Sequence, residues 1–385
     1  MEKILLGSIA DIQTGPFGSQ LHKEDYVQDG TPIVTVEHLG NRVFTEQNLP
    51  MVSDADKERL NKYVLSEGDI VFSRVGSVDR CSYVDSNHSG WMFSGRCLRV
   101  RPYNAIYPLY LYYFFCMEST KQFVRNIAVG ATMPSINTKL MGEIEVSVPS
   151  IDTQKRIAAI LSAIDDKIEL NTAINENLEQ QAQAIYAQMF IESAEESWET
   201  GSLSDIAVIT MGQSPKGDTF NETGEGAVFY QGRTDFGFRF PTRRLYTTEP
   251  KRIALCGDAL MSVRAPVGDL NVAYEECCIG RGLAAIHSKD NHQSFVLYTL
   301  FTLKKQLDVF NGEGTVFGSV NKESLNSMEI TIPPRELMDR FESTVSPIDR
   351  VIRNNYEEIC RLQAIRDTLL PKLMNGEIDV SAVKI

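Results

Sequence analysis

The chain has no run of about 18 apolar residues, so it offers no helix long enough to span a bilayer. Its opening Met-Glu-Lys-Ile-Leu-Leu-Gly is too short an apolar stretch for a signal peptide, and the expected location is cytoplasmic, away from membranes. The seven cysteines include no Cys-x-x-Cys, and an odd count fits reduced thiols rather than a disulfide frame or a zinc site. The adjacent pair Cys277-Cys278 reads as strand filler. His22, His38, His88, His287 and His292 stand apart, without His-Glu-x-x-His or Cys/His spacing, so no metal site is expected. There is no Gly-x-x-x-x-Gly-Lys-[Ser/Thr] phosphate loop, and Gly312, Gly314 and Gly318 fall one residue outside the dinucleotide pattern, which makes them a turn. An amino-methyltransferase needs Asn/Asp-Pro-Pro-aromatic, but the only Pro-Pro, Pro333-Pro334, lies between Ile332 and Arg335. A nuclease needs clustered carboxylates with a lysine; Asp269 and Glu275-Glu276 lack that lysine at short spacing. No catalytic residue and no cofactor bound by this chain are therefore expected. Cations are also scarce: 38 Lys and Arg against 51 Asp and Glu give a net charge of −13, so any surface for a polyanion must be local.

What the chain does have is itself, twice. Gly130, Ser135, Asn137, Pro149, Ile164, Asp165, Asn171 and Leu178 recur 184 residues later as Gly314, Ser319, Asn321, Pro333, Ile348, Asp349, Asn355 and Leu362. Upstream the spacing drifts, with Gly7-Ser-Ile-Ala-Asp-Ile12 answered by Gly201-Ser-Leu-Ser-Asp-Ile206, and Gly68-Asp69 by Gly257-Asp258. A register that holds in one stretch and slips in another means two copies of a unit with a shared part and a divergent part.

The first part of each copy is a mosaic of short strands and Gly/Pro turns. A turn feeds a buried strand, Asp69-Ile-Val-Phe-Ser-Arg-Val or Asp258-Ala-Leu-Met-Ser-Val-Arg, which delivers Arg74 or Arg264. A Gly-Arg step (Gly95-Arg96, Gly280-Arg281) opens another strand. An aromatic-rich helix follows, with Leu109 to Phe115 answered by Phe295 to Phe301. The second part is a long helix. Ile157, Ile164, Asn171, Leu178 and Ile185 recur every seven residues, interleaved with Leu161, Ile168, Asn175, Ala182 and Met189. Phe341, Ile348, Asn355, Leu362 and Leu369 do the same, with Val345, Ile352, Ile359, Arg366 and Leu373. Two such series over about five heptads are a coiled-coil seam on helices of roughly 35 to 40 residues, or about 55 to 60 Å. Asn171 and Asn355 occupy equivalent seam positions, where asparagine fixes register; the other reading places them toward solvent at a mis-set seam. Pro371 should end or kink the second helix near Leu370.

The predicted architecture is α+β: a mixed α/β domain at 1–150, a long helix at 151–195, a second mixed domain at 196–334, and a second helix with its tail at 335–385. This duplicated layout resembles the specificity (S) subunits of type I restriction-modification systems. The resemblance covers essentially the whole chain. Its local marks are Pro149 to Gln154 at the first helix start, the C-terminal Leu369-Leu-Pro-Lys-Leu-Met-Asn-Gly-Glu-Ile378, and the turns Gly130-Ala-Thr-Met-Pro-Ser-Ile-Asn137 and Gly314-Thr-Val-Phe-Gly-Ser-Val-Asn321. It departs at Met338, which stands where the first copy has Gln154. The resemblance implies a non-catalytic reader of double-stranded DNA, each mixed domain a target recognition domain for half of a bipartite site. It further implies that the two helices pack as an antiparallel coiled coil setting the spacer. The partners it implies are two methyltransferase (M) subunits and two restriction (R) subunits, on which S-adenosylmethionine, ATP and magnesium would be bound.

Recognition chemistry concentrates between Lys216 and Arg252, where cations alternate with aromatics: Tyr230-Gln231-Gly-Arg233, Phe236-Gly-Phe-Arg239-Phe, and Arg243-Arg244-Leu-Tyr246. Arginine binds guanine through O6 and N7, glutamine suits adenine, and further cations hold phosphates. The first copy offers Arg74, Arg80 and Arg96, near the Gly15-Pro-Phe-Gly-Ser19 loop and Thr35 to His38. The candidates are thus Arg74, Arg80, Arg96, Lys216, Gln231, Arg233, Arg239, Arg243, Arg244 and Arg264. Each arginine also has a plainer reading, as a solvated charge or the partner of one of the many acids. Arg74 and Arg264 rise above it because both copies deliver one at the end of the same strand. Two other functions fit the layout: a specificity chain serving a fused methyltransferase-nuclease, and a coiled-coil adaptor binding protein.

Overall fold

The computed structural model describes residues 2–16, 20–311 and 318–383. The turn residues Gly312 and Gly314 to Phe317, and Phe17 to Ser19 of the Gly15 loop, lie outside them. The chain forms two compact units, residues 1–170 with 358–385, and residues 171–357. Each unit combines one mixed domain with half of each long helix, so the division by compactness cuts across the helices rather than at their ends.

In the first unit a four-stranded antiparallel sheet runs Ala10–Thr14, Cys97–Pro102, Ile70–Ser73, Cys81–Tyr83. The strand Ile70–Ser73 is buried throughout because both of its faces are covered. Ile70 and Phe72 join the core under the aromatic helix Pro108–Cys116, while Val71 points into a second core with Ile33, Phe44 and Phe93. That second core lies under a small sheet in which Thr31–Val34 pairs in parallel with Met92–Phe93. The second unit repeats the plan. Its sheet runs Ala207–Met211, Leu283–Ser288, Ala259–Ser262, Leu270–Val272, with Met261 in one core and Leu260 in the other. Ala227–Tyr230 pairs in parallel with Cys277–Ile279, a fully buried strand that contains both adjacent cysteines.

The long helices span Ile151–Ala187, extended by a π turn at Gln188–Glu192, and Arg335–Met374. The second does not stop near Leu370. Pro371 sits in its last turn and its carbonyl accepts the Asn375 N–H at 2.9 Å, before Gly376 (φ +75) closes the helix. Proline is tolerated there because only the one N–H it lacks is lost from a helix that ends within a turn. Pro347 is also accommodated, in the interior of the same helix.

Within each unit the helix halves run antiparallel. In the first, Arg366 Nη1 lies 3.0 Å from Asp165 and Lys167 pairs with Glu358 at 3.6 Å. In the second, the Asn175 amide donates to the Ile352 carbonyl (3.1 Å) and accepts from Asn355 (2.8 Å). Asn171 is only 1% exposed, and Asn355, half-buried, spends its amide on Asn175, which overturns the solvent-facing reading of these two seam asparagines. The seam residues Ile164, Leu178, Ile185, Ile348, Asn355, Leu362 and Leu369 are all half-buried. The most deeply buried positions include Ala158, Asp165, Tyr186 and Phe190, one residue beyond the seam, because each helix also packs against its own mixed domain and needs a wider stripe.

Asp165 and Asp349, equivalent in the repeat, tie the domains to the helices. Tyr113 donates its phenol hydrogen to Asp165 (2.7 Å), and Tyr298 donates to Asp349 (2.9 Å). These bonds place Tyr113 opposite Tyr298, one residue away from the alignment suggested by the runs Leu109 to Phe115 and Phe295 to Phe301. The free N–H groups at the aromatic helix starts are met differently. Gln154, fully buried, accepts from Tyr107 N (2.7 Å) and donates to the Pro149 carbonyl (2.9 Å). Where the second copy has Met338, buried in the apolar core, the Glu342 carboxylate accepts from the Ser294 and Phe295 N–H groups instead.

His292 precedes that helix, with Nε2 2.7 Å from Asp339 and Nδ1 3.0 Å from Asp290. Burial works against the charged ring, but the two carboxylates outweigh it and raise the pKa above the ordinary 6.5. A raised folded-state pKa stabilises below 6.5 and the contribution is lost as pH rises through the folded value. Thermal unfolding of the full chain should therefore show a stability loss above pH 6.5 that is smaller in His292→Asn; equal slopes in both proteins would refute it. The comparison with the variant separates this from Glu342, whose pKa burial also raises.

Candidate nucleic-acid interface

A cleft of about 290 Å³ in the second unit has Gln231, Arg233, Arg244, Arg264 and Arg281 in its lining, together with Asp235. Its floor is built by close backbone approach. Gly280 N donates to Tyr230 O (2.8 Å) and Gly282 N to Gln231 O (3.3 Å). A Cβ at Gly280 would lie 2.9 Å from Gln231 Cα, so glycine is required for the Gln231 segment to sit against the strand start. Arg264 follows the buried strand Ala259–Ser262 and is bridged to Ser319. Rigid strand ends thus hold Gln231, Arg264 and Arg281.

Charge pairing sorts the cations. Arg244 Nε lies 3.0 Å from the buried Asp235, and Arg233 pairs with Asp269, which Lys304 also contacts at 3.2 Å. Arg243 lies 2.5 Å from Glu275, with its guanidinium over the Tyr274 ring, and does not line the cleft. Arg264 and Arg281 are exposed, and neither has a carboxylate partner among the described residues. Lys216 is exposed but stands outside the cleft, before the turn Gly217–Thr219.

Arg239 is not a contact residue. It is 4% exposed, and it bonds Glu179 (2.9 Å), the Tyr298 phenol oxygen (2.9 Å) and Asp349. Burial opposes its charge, and Asp349, Tyr298 and Glu179 outweigh that, holding the guanidinium protonated. A cation neutralised and enclosed in this way presents neither its charge nor its surface to a base or phosphate. No local signal betrays this, since Glu179 and Asp349 lie far from Arg239 along the chain. Arg42, which sequence reasoning missed, does the same work in the first unit, bonding Asp166 (2.5 Å) and Glu169 (2.6 Å) on the long helix. The two are counterparts: Tyr83 N donates to Arg42 O and Val272 N to Arg239 O, each from the end of the same edge strand.

In the first unit Arg74, Arg80 and Arg96 lie around the corresponding sheet end. Arg96 and Arg80 are exposed, Arg80 donating to the Leu39 carbonyl. Arg74 is half-buried and donates to the Gly95 carbonyl at 3.2 Å. Hydrogen bonds correct the sequence pairing of these arginines. Arg74 N donates to Arg96 O as Val263 N does to Gly282 O, and Val75 is bridged to Ser135 as Arg264 is to Ser319. Arg264 therefore answers Val75, and Arg74 answers Val263; Arg96 answers Gly282, and Arg281 answers Gly95. Each match is out by one residue, which on extended backbone turns the side chain to the other face.

The chain matches the type I restriction modification DNA specificity domain twice, over residues 1–180 and 195–359. A protein of Methanocaldococcus jannaschii named for the specificity subunit of type I restriction enzyme MjaX is 31% identical over 383 residues, spanning 93% of this chain and 89% of that protein. The HindI specificity subunit of Haemophilus influenzae is 23% identical over 403 residues, spanning 82% and 88%. The solved S subunit of a type I restriction-modification system from M. genitalium shares the fold, with a TM-score of 0.62 at 17% identity over 97% of this chain and 95% of that one.

Replacing Arg239 by alanine leaves Asp349 and Glu179 uncompensated, and breaking a buried pair from one side costs about 3–5 kcal/mol. Chemical unfolding of Arg239→Ala should show a loss of that order, whereas an exposed Arg281→Ala should unfold like the parent. Parent-like stability of Arg239→Ala would return it to the contact candidates.

Proposed function

We propose that this chain, which belongs to the family of type I restriction modification DNA specificity domains, gives a type I restriction-modification complex its sequence specificity. Each mixed domain is a target recognition domain that reads one half of a bipartite site on double-stranded DNA, and the long helices set the spacer. Methylation and cleavage belong to partners: two M and two R subunits in the cytoplasm, carrying S-adenosylmethionine, ATP and magnesium. The observation that supports DNA reading most is the cleft in which Arg264 and Arg281 stand without described carboxylate partners beside Gln231. A guanidinium fork suits guanine O6 and N7, an amide suits adenine, and both sit on backbone fixed by strand pairing. This local set of cations also reconciles DNA binding with a net charge of −13.

The test is methylome sequencing of cells carrying the chain with its M subunit. Arg264→Ala should cost about 1–3 kcal/mol of discrimination and relax bases in the second half-site alone, while Arg74→Ala and Arg96→Ala act only on the first. A phosphate contact would instead weaken all sequences alike and lower the salt slope by about one. Unchanged motifs in all three variants would refute the assignment.

The spacer role has its own test. Seven residues inserted after Asn171 and seven after Asn355 keep both seams in phase, leaving the Asn175 and Asp165 pairings within their own units. The helices lengthen by about 10 Å, or about three base pairs of rise. The methylated motif should keep both half-sites and gain a spacer longer by up to that amount. Two-residue inserts rotate the seam by about 200 degrees and should damage folding or assembly. An unchanged spacer in an active seven-residue variant would overturn the role.

A further inference from the structure

Two of the most exposed large apolar side chains, Met133 at 65% and Val129 at 63%, share one short turn in the first unit. Apolar groups so placed on a loop have no part in the core. The turn is nonetheless rigidly held. Val129 and Ser135 exchange both backbone hydrogen bonds at 2.8 Å, and the Ser135 hydroxyl donates to the Val129 carbonyl at 3.1 Å. Gly130, at φ +111, makes the reversal. The turn is then stitched to the strand end that carries Arg74: Gly76 N donates to Pro134 O (2.8 Å), Ile136 N to Arg74 O (3.0 Å), and Val75 is bridged to Ser135. Arg74 N in turn donates to Arg96 O at 2.8 Å. An apolar tip and two arginines are therefore adjacent rungs of one sheet end.

We propose that Met133 is a specificity-determining residue of the first half-site, packing its thioether against the 5-methyl group of a thymine next to the bases reached from that sheet end. The inference rests on the DNA reading proposed above. A thymine methyl is the one apolar feature on a base edge in the major groove, and it is read by apolar side chains. Methionine is unbranched and polarisable and fits such a contact without a fixed shape. The adjoining cations argue for DNA, since Arg74 and Arg96 share a backbone rung and put two guanidinium groups, suited to guanine edges and phosphates, beside the apolar tip in a chain of otherwise acidic balance.

The test uses the full chain reconstituted with its M subunit on DNA carrying the motif found by methylome sequencing. Thymines of the first half-site, on either strand, are replaced one at a time by deoxyuridine, which lacks only the methyl. At one position deoxyuridine should weaken binding by the parent about fourfold, the factor for burying one methyl group. Met133→Ala should bind the thymine DNA about that much more weakly and be indifferent to deoxyuridine, while Met133→Leu keeps the response. The residue is exposed, so neither variant should alter thermal unfolding. Equal deoxyuridine responses in parent and Met133→Ala, or no response at any thymine, would overturn the inference. So would a variant impaired only in assembly with the M subunit, which would make the turn a protein contact. Failure of the broader reading looks different: the parent complex itself would then methylate no defined motif.

Discussion

Each recognition domain of this chain depends on one carboxylate for its hold on the long helices, buried at Asp165 and half-buried at Asp349. Asp165 and Asp349 sit one turn-face away from the apolar seam and accept from a tyrosine of the aromatic helix, Tyr113 or Tyr298. A buried carboxylate is costly unless it is paired, and each has a cation: Arg366 for Asp165, and Arg239 for Asp349. The two solutions differ in an instructive way. Arg366 comes from the partner helix, whereas Arg239 comes from the recognition domain itself, so the second tie joins helix, aromatic helix and loop at one point. In the first unit the loop is tied separately, by Arg42 to Asp166 and Glu169. Directional bonds of this kind fix an angle as well as a contact, which apolar packing alone does poorly.

A fixed platform lets the reading surface vary. The strand ends are held by the same backbone bonds in both units, yet Arg74 and Arg264 stand one residue apart on that common frame, as do Arg96 and Arg281. On extended chain one residue is a change of face. Two copies of one scaffold can therefore present cations in different directions without any change in the sheet, which is what two halves of an asymmetric site would require.

The duplication, the α+β layout and the long helices were legible in the sequence because each rests on a local or periodic signal: heptads, Gly-Asp turns, and proline before a helix. The helix starts at Ile151 and Arg335 follow Pro149 and Pro333 for that reason. Pro371 misled, because proline disfavours the residue before it but does not forbid a last turn. The register of the strand ends was not legible, since the spacing between copies drifts through that region and identical residue types invite a false match. Nor was the fate of Arg239. Its run Phe236-Gly-Phe-Arg239-Phe looks like a surface tract, but its partners Glu179 and Asp349 are brought to it only by the fold. Arg42 carried no local signal at all. Arg281 stood in the sequence only as half of a matched Gly-Arg step and not among the contact candidates, whereas the structure places it in the lining of the cleft.

Charge shows why such distinctions matter in an acidic chain. Most arginines near the cleft already have a carboxylate: Arg233 with Asp269, Arg244 with Asp235, Arg243 with Glu275, Arg239 with Glu179 and Asp349. Each such acid lowers the attraction for any phosphate backbone, whatever its sequence, because non-specific affinity follows from uncompensated cations. Arg264 and Arg281 escape this pairing among the described residues, and they stand on backbone held by the Ser319 bridge and by the Gly280 and Gly282 hydrogen bonds. Neutralising the surrounding cations while leaving two aimed ones lowers sequence-independent binding more than it lowers base contacts, because a bidentate base contact depends on direction as well as charge. On the proposed DNA reading the acidic balance is then part of the selectivity: it would make the total attraction small enough for a few oriented donors to decide which sequence is held.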